Sequence, residues 1–70
     1  MEINYDKEAD AIYISFLQTE FSKNKKIDDF TILDLDNEGK VIGIELLEVS
    51  KRLPKDSISQ IKVNNLVVAK

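Results

Sequence analysis

Apolar residues recur at every second position in four short runs, and this period of two constrains the fold more than any other feature of the sequence. The runs are "EINYD", "DAIYISF", "FTILDL" and "KVIGIELL", and they are rich in β-branched and aromatic residues. Each run predicts a β-strand, because successive side chains of a strand point to opposite faces. Polar breaks separate the runs, and short connections favour antiparallel neighbours. The sequence therefore predicts a four-stranded antiparallel meander sheet.

The alternating pattern weakens beyond Glu48. Pro54 is the only proline of the chain, and proline suits the first turn of a helix. The residues that follow fall near helical spacing, which predicts a short helix from about Pro54 to Ile61. The ending "IKVNNLVVAK" is rich in β-branched residues and favours either a final strand or a turn at "NN". The expected fold is β-rich α+β, with a single small domain over residues 1–70.

The chain has neither cysteine nor histidine. Disulfides are therefore excluded, and the usual zinc sites, which are built from Cys and His, cannot form. Small folds need such cross-links, exceptional packing or a partner chain, so packing and self-association remain. Catalysis is not expected, because the serines lack a histidine base and most carboxylates stand in predicted turns rather than in a cleft. The sequence implies no cofactor.

The net charge and the N-terminal sequence indicate which partners and which location to expect for the protein. The net charge of −3 argues against a nucleic-acid partner, since clustered Lys and Arg supply the affinity for phosphates. The one basic cluster, "KNKK" at Lys23 to Lys26, is expected to be a solvated loop. The N-terminus is acidic and carries no export signal, and no apolar run approaches the ~20 residues that span a bilayer. We expect a cytoplasmic protein without a membrane partner.

Simple alternation makes the central strands apolar on both faces. A three-residue loop between the third and fourth strands places Ile32 opposite Ile44 and Phe30 opposite Leu46. One face of the sheet can pack on the C-terminal segment, and the other face then needs a cover. A second copy of the chain supplies that cover under two-fold symmetry, and a small partner protein is the alternative. The candidate interface residues on this face are Leu33, Leu35, Val41 and Leu47.

The segment "DLDNEGKVIGIE" resembles the calcium-binding loop of an EF-hand. Asp34 takes the first position of that loop, Asp36 the third, Glu38 the fifth, Gly39 the sixth and Glu45 the twelfth. Calcium prefers six to eight oxygen ligands, so the four carboxylates are candidate metal ligands. An EF-hand loop lies between two helices, however, and both flanks of this segment alternate like strands.

The same segment also fits a β-hairpin turn over Asp36, Asn37, Glu38 and Gly39. Asp and Asn favour turns, and Gly39 supplies the positive φ that closes a hairpin with a bulge. In this interpretation Glu45 lies too far down the fourth strand to serve as a twelfth ligand. The hairpin is the preferred prediction, and a carboxylate-based calcium site is the alternative.

Two segments, "YDKEADAIYISF" and "DLDNEGKVIGIELLEVSKRLP", resemble a family of small proteins known as domain of unknown function 2283. The resemblance spans the chain from Met1 to about Pro54. It implies a compact β-rich prokaryotic protein and brings no established activity, cofactor or catalytic residue. Proteins of this kind are often encoded beside other small proteins, so an antitoxin-like partner of a small toxin is a further alternative. The residues that match the family pattern are Tyr5, Asp6, Asp10, Tyr13, Asp34, Asp36, Gly39, Gly43, Ile44, Glu45 and Ser50.

Overall fold

Five antiparallel strands form one sheet in the structure, a computed structural model that describes residues 1–65. Their order across the sheet is β1-β2-β5-β4-β3, so the last strand within residues 1–65 lies in the centre. A β-rich antiparallel sheet with a short helix is therefore confirmed. Within residues 1–65 the helices are too short to span a bilayer. The elements are β1 (Glu2–Asp6), β2 (Ala11–Ser15), β3 (Lys23–Asp28), β4 (Thr31–Leu35), β5 (Val41–Leu46), the helix α1 (Val49–Arg52) and a 3₁₀ turn (Ile58–Gln60).

The prediction of four strands in a meander is wrong in two respects. The segment Lys23–Asp28, most of it predicted as a solvated loop, forms β3 at one edge of the sheet. In addition, β2 pairs with β5 rather than with the strand that follows it in the sequence. All six residues of β3 are exposed, so backbone pairing with β4, rather than burial, defines this strand. Its lysines suit an edge, because charged side chains discourage pairing with further strands.

The helix lies on the other side of the proline from the predicted one. α1 ends at Arg52, and Leu53 has an extended backbone with φ −118° and ψ 150°. Proline drives the residue before it out of the helical region, which explains why α1 stops there. The helix predicted over Pro54–Ile61 is reduced to the 3₁₀ turn. Residues 61–65 form no strand, and the rest of the predicted final strand, 66–70, lies outside the described residues.

A β-bulge interrupts the hairpin of β4 and β5. Leu35 pairs with Val41, whereas Asp34 pairs with Gly43, which leaves Ile42 as an extra residue in β5. One extra residue shifts the register by one position beyond the bulge. Because side chains alternate with a period of two, a shift of one residue moves every side chain of the shifted segment to the opposite face.

The bulge overturns the predicted cross-strand pairs. The observed pairs are Leu33 with Ile44 and Thr31 with Leu46, in place of Ile32 with Ile44 and Phe30 with Leu46. The prediction that the central strands are apolar on both faces is therefore wrong, since Leu33 shares a face with the isoleucines of its neighbours. The sheet has instead one apolar and one polar face.

Two rows of side chains in register define the apolar face. The middle row consists of Ile3, Ile14, Ile44 and Leu33, and the second row of Tyr5, Ile12, Leu46 and Thr31. The opposite, polar face carries Glu2, Ser15, Gly43, Asp34 and Asn24 in one row, and Asn4, Tyr13, Glu45, Ile32 and Lys26 in the next.

The core lies on the apolar face. α1 covers one end of this face through Val49, which is 1% exposed. The connection after β2 passes the other end, where the Phe16 amide donates to the Ile42 carbonyl and the Ser22 amide to the Leu35 carbonyl, both at 2.8 Å. The middle row lies beyond the end of the face that α1 covers. The buried apolar side chains among residues 1–65 are Ile12, Leu35, Ile42 and Val49.

Candidate functional site

The turn between β4 and β5 uses the carboxylate of Asp36 for backbone hydrogen bonds. Its Oδ1 accepts the amides of Glu38 and Lys40, both at 2.9 Å. The Gly39 amide donates to the Asp36 carbonyl oxygen at 3.1 Å, and Gly39 has a φ of 81°. A positive φ is strained for residues other than glycine, so this turn favours Gly39. The structure thus places a hairpin turn where the sequence predicts one, with Asn37 at its tip.

The four candidate calcium ligands do not converge. Asp36 is held by the turn backbone, and Glu38 forms an exposed ion pair with Lys40 at 3.1 Å. Asp34 and Glu45 lie on the polar face, back from the turn. Residues 1–65 contain no group of three or more side chains placed to hold a metal ion. Strands also stand where an EF-hand needs helices, so the geometry does not support the calcium alternative.

Asp10 joins the β1–β2 connection to the start of α1. Its carbonyl oxygen accepts the amide of Val49 at 3.0 Å. Its carboxylate accepts the amide of Ser50 at 3.0 Å and the hydroxyl of Ser50 at 2.6 Å. These amides belong to the first turn of a helix, where they have no partner within the helix. A helix of four residues has little stability of its own, so Asp10 holds α1 against the sheet.

The backbone is left-handed at Asp10, with a φ of 52°, and at Glu48, with a φ of 51°. This conformation costs roughly 1–2 kcal/mol at a residue that has a Cβ. Both residues flank the contact between the β1–β2 connection and α1. The hydrogen bonds to Asp10 offset the strain, and the result is that Val49 is inserted into the core.

A polar network runs across four strands on the polar face. Tyr13 of β2 lies over Gly43 of β5, since a Cβ at Gly43 would stand 2.5 Å from Oη and 2.9 Å from Cζ of Tyr13. Beyond Gly43, Asp34 of β4 is 7% exposed, and its Oδ1 accepts the side-chain amide of Asn24 in β3 at 2.8 Å. A glycine inside a strand often marks such a close approach. This network was not predicted from the sequence, because periodicity does not reveal it. A glycine inside a predicted strand, Gly43, is the one sequence feature that indicates the close approach.

The Tyr13 phenol reports the electrostatics of the network. Burial raises the pKa of Tyr13, and hydrogen bonding to Asp34 together with the negative charges of Asp34 and Glu45 raises it further. Among the described residues, no buried side-chain nitrogen or oxygen lacks a hydrogen-bond partner. The network is therefore satisfied within the chain and serves the fold.

Asp34→Asn is expected to lower the pKa of Tyr13, because it removes one of the nearby negative charges. Spectrophotometric titration in a Tyr5→Phe background monitors Tyr13 alone, since the chain has two tyrosines. The unfolded phenol titrates near pH 10. Because the folded pKa is higher, this group stabilises the fold fully below pH ~10 and the stabilisation is lost as pH rises through the folded pKa. A Tyr13 pKa that Asp34→Asn leaves unchanged would contradict the assignment.

The apolar face is the candidate binding surface. In its middle row Ile3 is 41% exposed, and Ile14, Ile44 and Leu33 are half-buried. Neighbouring strands are about 4.8 Å apart, so the row is about 14 Å long from β1 to β4. A contiguous exposed apolar patch rimmed by polar residues is typical of a protein–protein interface.

The structure separates the predicted interface residues. Leu33 lies in the middle row, and Leu35 lies on the same face but is 8% exposed. Val41 is exposed at the start of β5, whereas Leu47 follows the far end of β5, where its amide donates to the Phe30 carbonyl. Leu35 pairs with Val41, so Leu33, Leu35 and Val41 share the apolar face; the four do not form one patch because Leu35 is buried and Leu47 lies beyond the end of β5. Their role in binding stays a prediction, and Leu33 is the one placed in the open row.

Residues 2–50 match the family described as Protein of unknown function (DUF2283). The matched segment contains all five strands and reaches the second residue of α1. The chain belongs to this family. No curated protein and no solved structure matches the chain.

Several residues of the DUF2283 segment that the resemblance singled out have structural roles. Oδ1 of Asp6 accepts the amides of Glu8 and Ala9 at 3.1 Å each, which closes the β1–β2 turn. The contact between Asp10 and Ser50 holds α1. These residues of the DUF2283 segment therefore stabilise a turn and the contact between the β1–β2 connection and α1. We look for a binding site on the surface of the domain instead.

Proposed function

We propose that this protein is a non-enzymatic protein-interaction module that self-associates through the apolar face of its sheet. The observation that carries the proposal is the middle row, because its four large apolar side chains lie side by side and none of them is buried. Removing apolar surface from water contributes about 25 cal/mol per Å². A partner over this row is therefore stabilised mainly by the hydrophobic effect.

A second copy of the chain suits this face. A sheet face can pair with itself about a two-fold axis, and stacked sheets lie about 10 Å apart. Four buried apolar side chains among residues 1–65 make a small core, which favours an assembly that adds to it. The open band is one row wide, and standard interfaces bury about 800 Å² per partner. We therefore expect a weak dimer with a micromolar dissociation constant.

Two features support a role without catalysis. The carboxylates of Asp6, Asp28 and Asp36 accept backbone amides in turns, and the Phe30 amide holds the pKa of Asp28 below its usual range. The buried polar groups of the Tyr13–Asp34 network already have hydrogen-bond partners within residues 1–65. A general acid or base needs a positioned group with a tuned pKa beside the reacting atoms.

Leu33→Asp is expected to raise the dimer dissociation constant by about tenfold, because it places a charge in the middle row of both copies, and Lys25, its exposed neighbour on β3, offsets that charge only in part. Sedimentation velocity over a concentration series from low micromolar to several hundred micromolar measures this constant. Ile27→Asp is the matched control, since Ile27 is 54% exposed on the edge strand β3 and lies outside the middle row. Circular dichroism checks that both variants are folded.

A wild-type chain that remains monomeric throughout this range contradicts self-association. Equal dissociation constants for wild type and Leu33→Asp exclude the apolar face as the contact. In either case co-purification from the native host tests whether a different protein, such as the toxin of an antitoxin-like pair, covers the middle row instead.

A further inference from the structure

A cavity of about 630 Å³ lies between the end of β1 and the segment that follows α1. Small-molecule sites are clefts of about 300–1,000 Å³ with mostly apolar walls and a few polar groups. The cavity falls in this class by size and composition. Its lining includes Tyr5, Lys7, Ser50, Leu53, Lys55 and Ile58.

The walls of the cavity combine apolar surface with two positive charges. Leu53, Pro54 and Ile58 supply apolar wall from the C-terminal segment, and β1 and its turn supply an aromatic ring and one lysine. The second lysine is Lys55. None of the described residues that line the cavity is acidic. The lining therefore carries two positive side chains and no negative one, on a chain whose net charge is −3.

Lys7 and Lys55 are available for an anion. Within residues 1–65 the salt bridges use Lys26, Lys40 and Lys51, and neither cavity lysine takes part in one. The carboxylate of Asp10 contacts a lining residue, Ser50, but it already accepts the amide and the hydroxyl of that serine.

We propose that this cavity binds a small amphipathic carboxylate, a molecule with a short apolar body and one carboxylate end. The apolar body lies against Leu53, which is 36% exposed, and against Ile58. The carboxylate lies between Lys7 and Lys55. A purely inorganic anion leaves the apolar walls in water, and a neutral apolar molecule leaves the two lysines without a counter-charge. The lining shares no residue with the middle row, although Tyr5 lies on the same face of the sheet, so the site is tested separately from self-association.

Octanoate is a suitable probe, because it has the required chemistry and stays below its micellar concentration in the millimolar range. Titration of the ¹⁵N-labelled full chain should give saturable shifts at the amides of Lys7, Ser50, Leu53 and Lys55, with a millimolar dissociation constant. Octan-1-ol has the same chain length without the charge. We expect it to bind about three- to tenfold more weakly, because exposed ion pairs contribute up to about 1 kcal/mol each.

Lys7→Gln combined with Lys55→Gln should weaken octanoate by about three- to tenfold and leave octan-1-ol unchanged. The double variant Lys23→Gln with Lys25→Gln removes the same charge from β3, at the opposite edge of the sheet, and should bind octanoate like wild type. Repeating the titration in the Leu33→Asp variant separates this site from the proposed dimer. Equal binding of octanoate and octan-1-ol, shifts confined to the middle row, or no saturation would each overturn the proposal.

Discussion

Gly43→Val is expected to lower the free energy of unfolding by about 3 kcal/mol, because the new side chain collides with Tyr13 and with the backbone. A Cβ alone would stand 2.5 Å from the Tyr13 hydroxyl oxygen and 3.0 Å from the carbonyl oxygen of Ile14. The carbonyl belongs to the paired strand β2 and cannot withdraw. Valine favours strands by up to about 1 kcal/mol, which opposes this effect but does not outweigh it. Urea denaturation followed by circular dichroism measures the change.

Tyr13→Ala provides the test of mechanism for Gly43. In that background Gly43→Ala should cost less than in the wild-type chain, because the ring that crosses β5 is gone. Gly39→Ala is the control, since Gly39 has nothing within 4 Å of a new Cβ and is restricted only by its φ of 81°. It should cost about 1 kcal/mol regardless of Tyr13. If Gly43→Val unfolds at the same urea concentration as wild type, the close approach of Tyr13 is wrong.

Strands with alternating side chains could be predicted from the sequence, including the exposed edge strand β1, whereas the edge strand β3 and the register could not. β2 and β5 carry clear alternation because their side chains divide between a core and a polar face. β3 is exposed along its whole length, so burial imposes no pattern on "KNKKID". The residue types of β5 do not indicate the bulge at Ile42. The bulge nevertheless places Leu33 opposite Ile44, on the apolar face of the sheet.

The candidate sites show the same limit. The acidic residues from Asp34 to Glu45 have the spacing of a calcium-binding loop. In the structure, however, Asp36 accepts backbone amides of the turn, and Asp34 lies on the polar face, where it accepts the side-chain amide of Asn24. The cavity at the end of β1 is lined by both Lys7 and Lys55, which are far apart in the sequence and come to one cavity because α1 is held on the sheet. Local sequence patterns determine the strands and helices, whereas contacts between segments that are distant in the sequence determine which surfaces are available for binding.

Asp10→Ala is expected to lower the free energy of unfolding by about 2–3 kcal/mol, because it removes an ionised acceptor from the start of α1. Hydrogen bonds to charged groups contribute roughly 1.5–3 kcal/mol, and the Ser50 amide and hydroxyl both donate to this carboxylate. Without it the four-residue helix loses its main attachment, and Val49 is drawn from the core. The loss should also weaken octanoate binding, since α1 carries part of the cavity wall.

Two further substitutions distinguish the carboxylate of Asp10 from its backbone strain. Asp10→Gly removes the same acceptor but relieves the left-handed backbone at φ 52°, so it should be about 1 kcal/mol less costly than Asp10→Ala. Ser50→Ala removes the hydroxyl donor and keeps the amide, and its cost of about 1 kcal/mol should largely disappear when Asp10 is already glycine. Additive losses in this double-mutant cycle would show that the two side chains stabilise the chain separately, and that Asp10 does not hold α1.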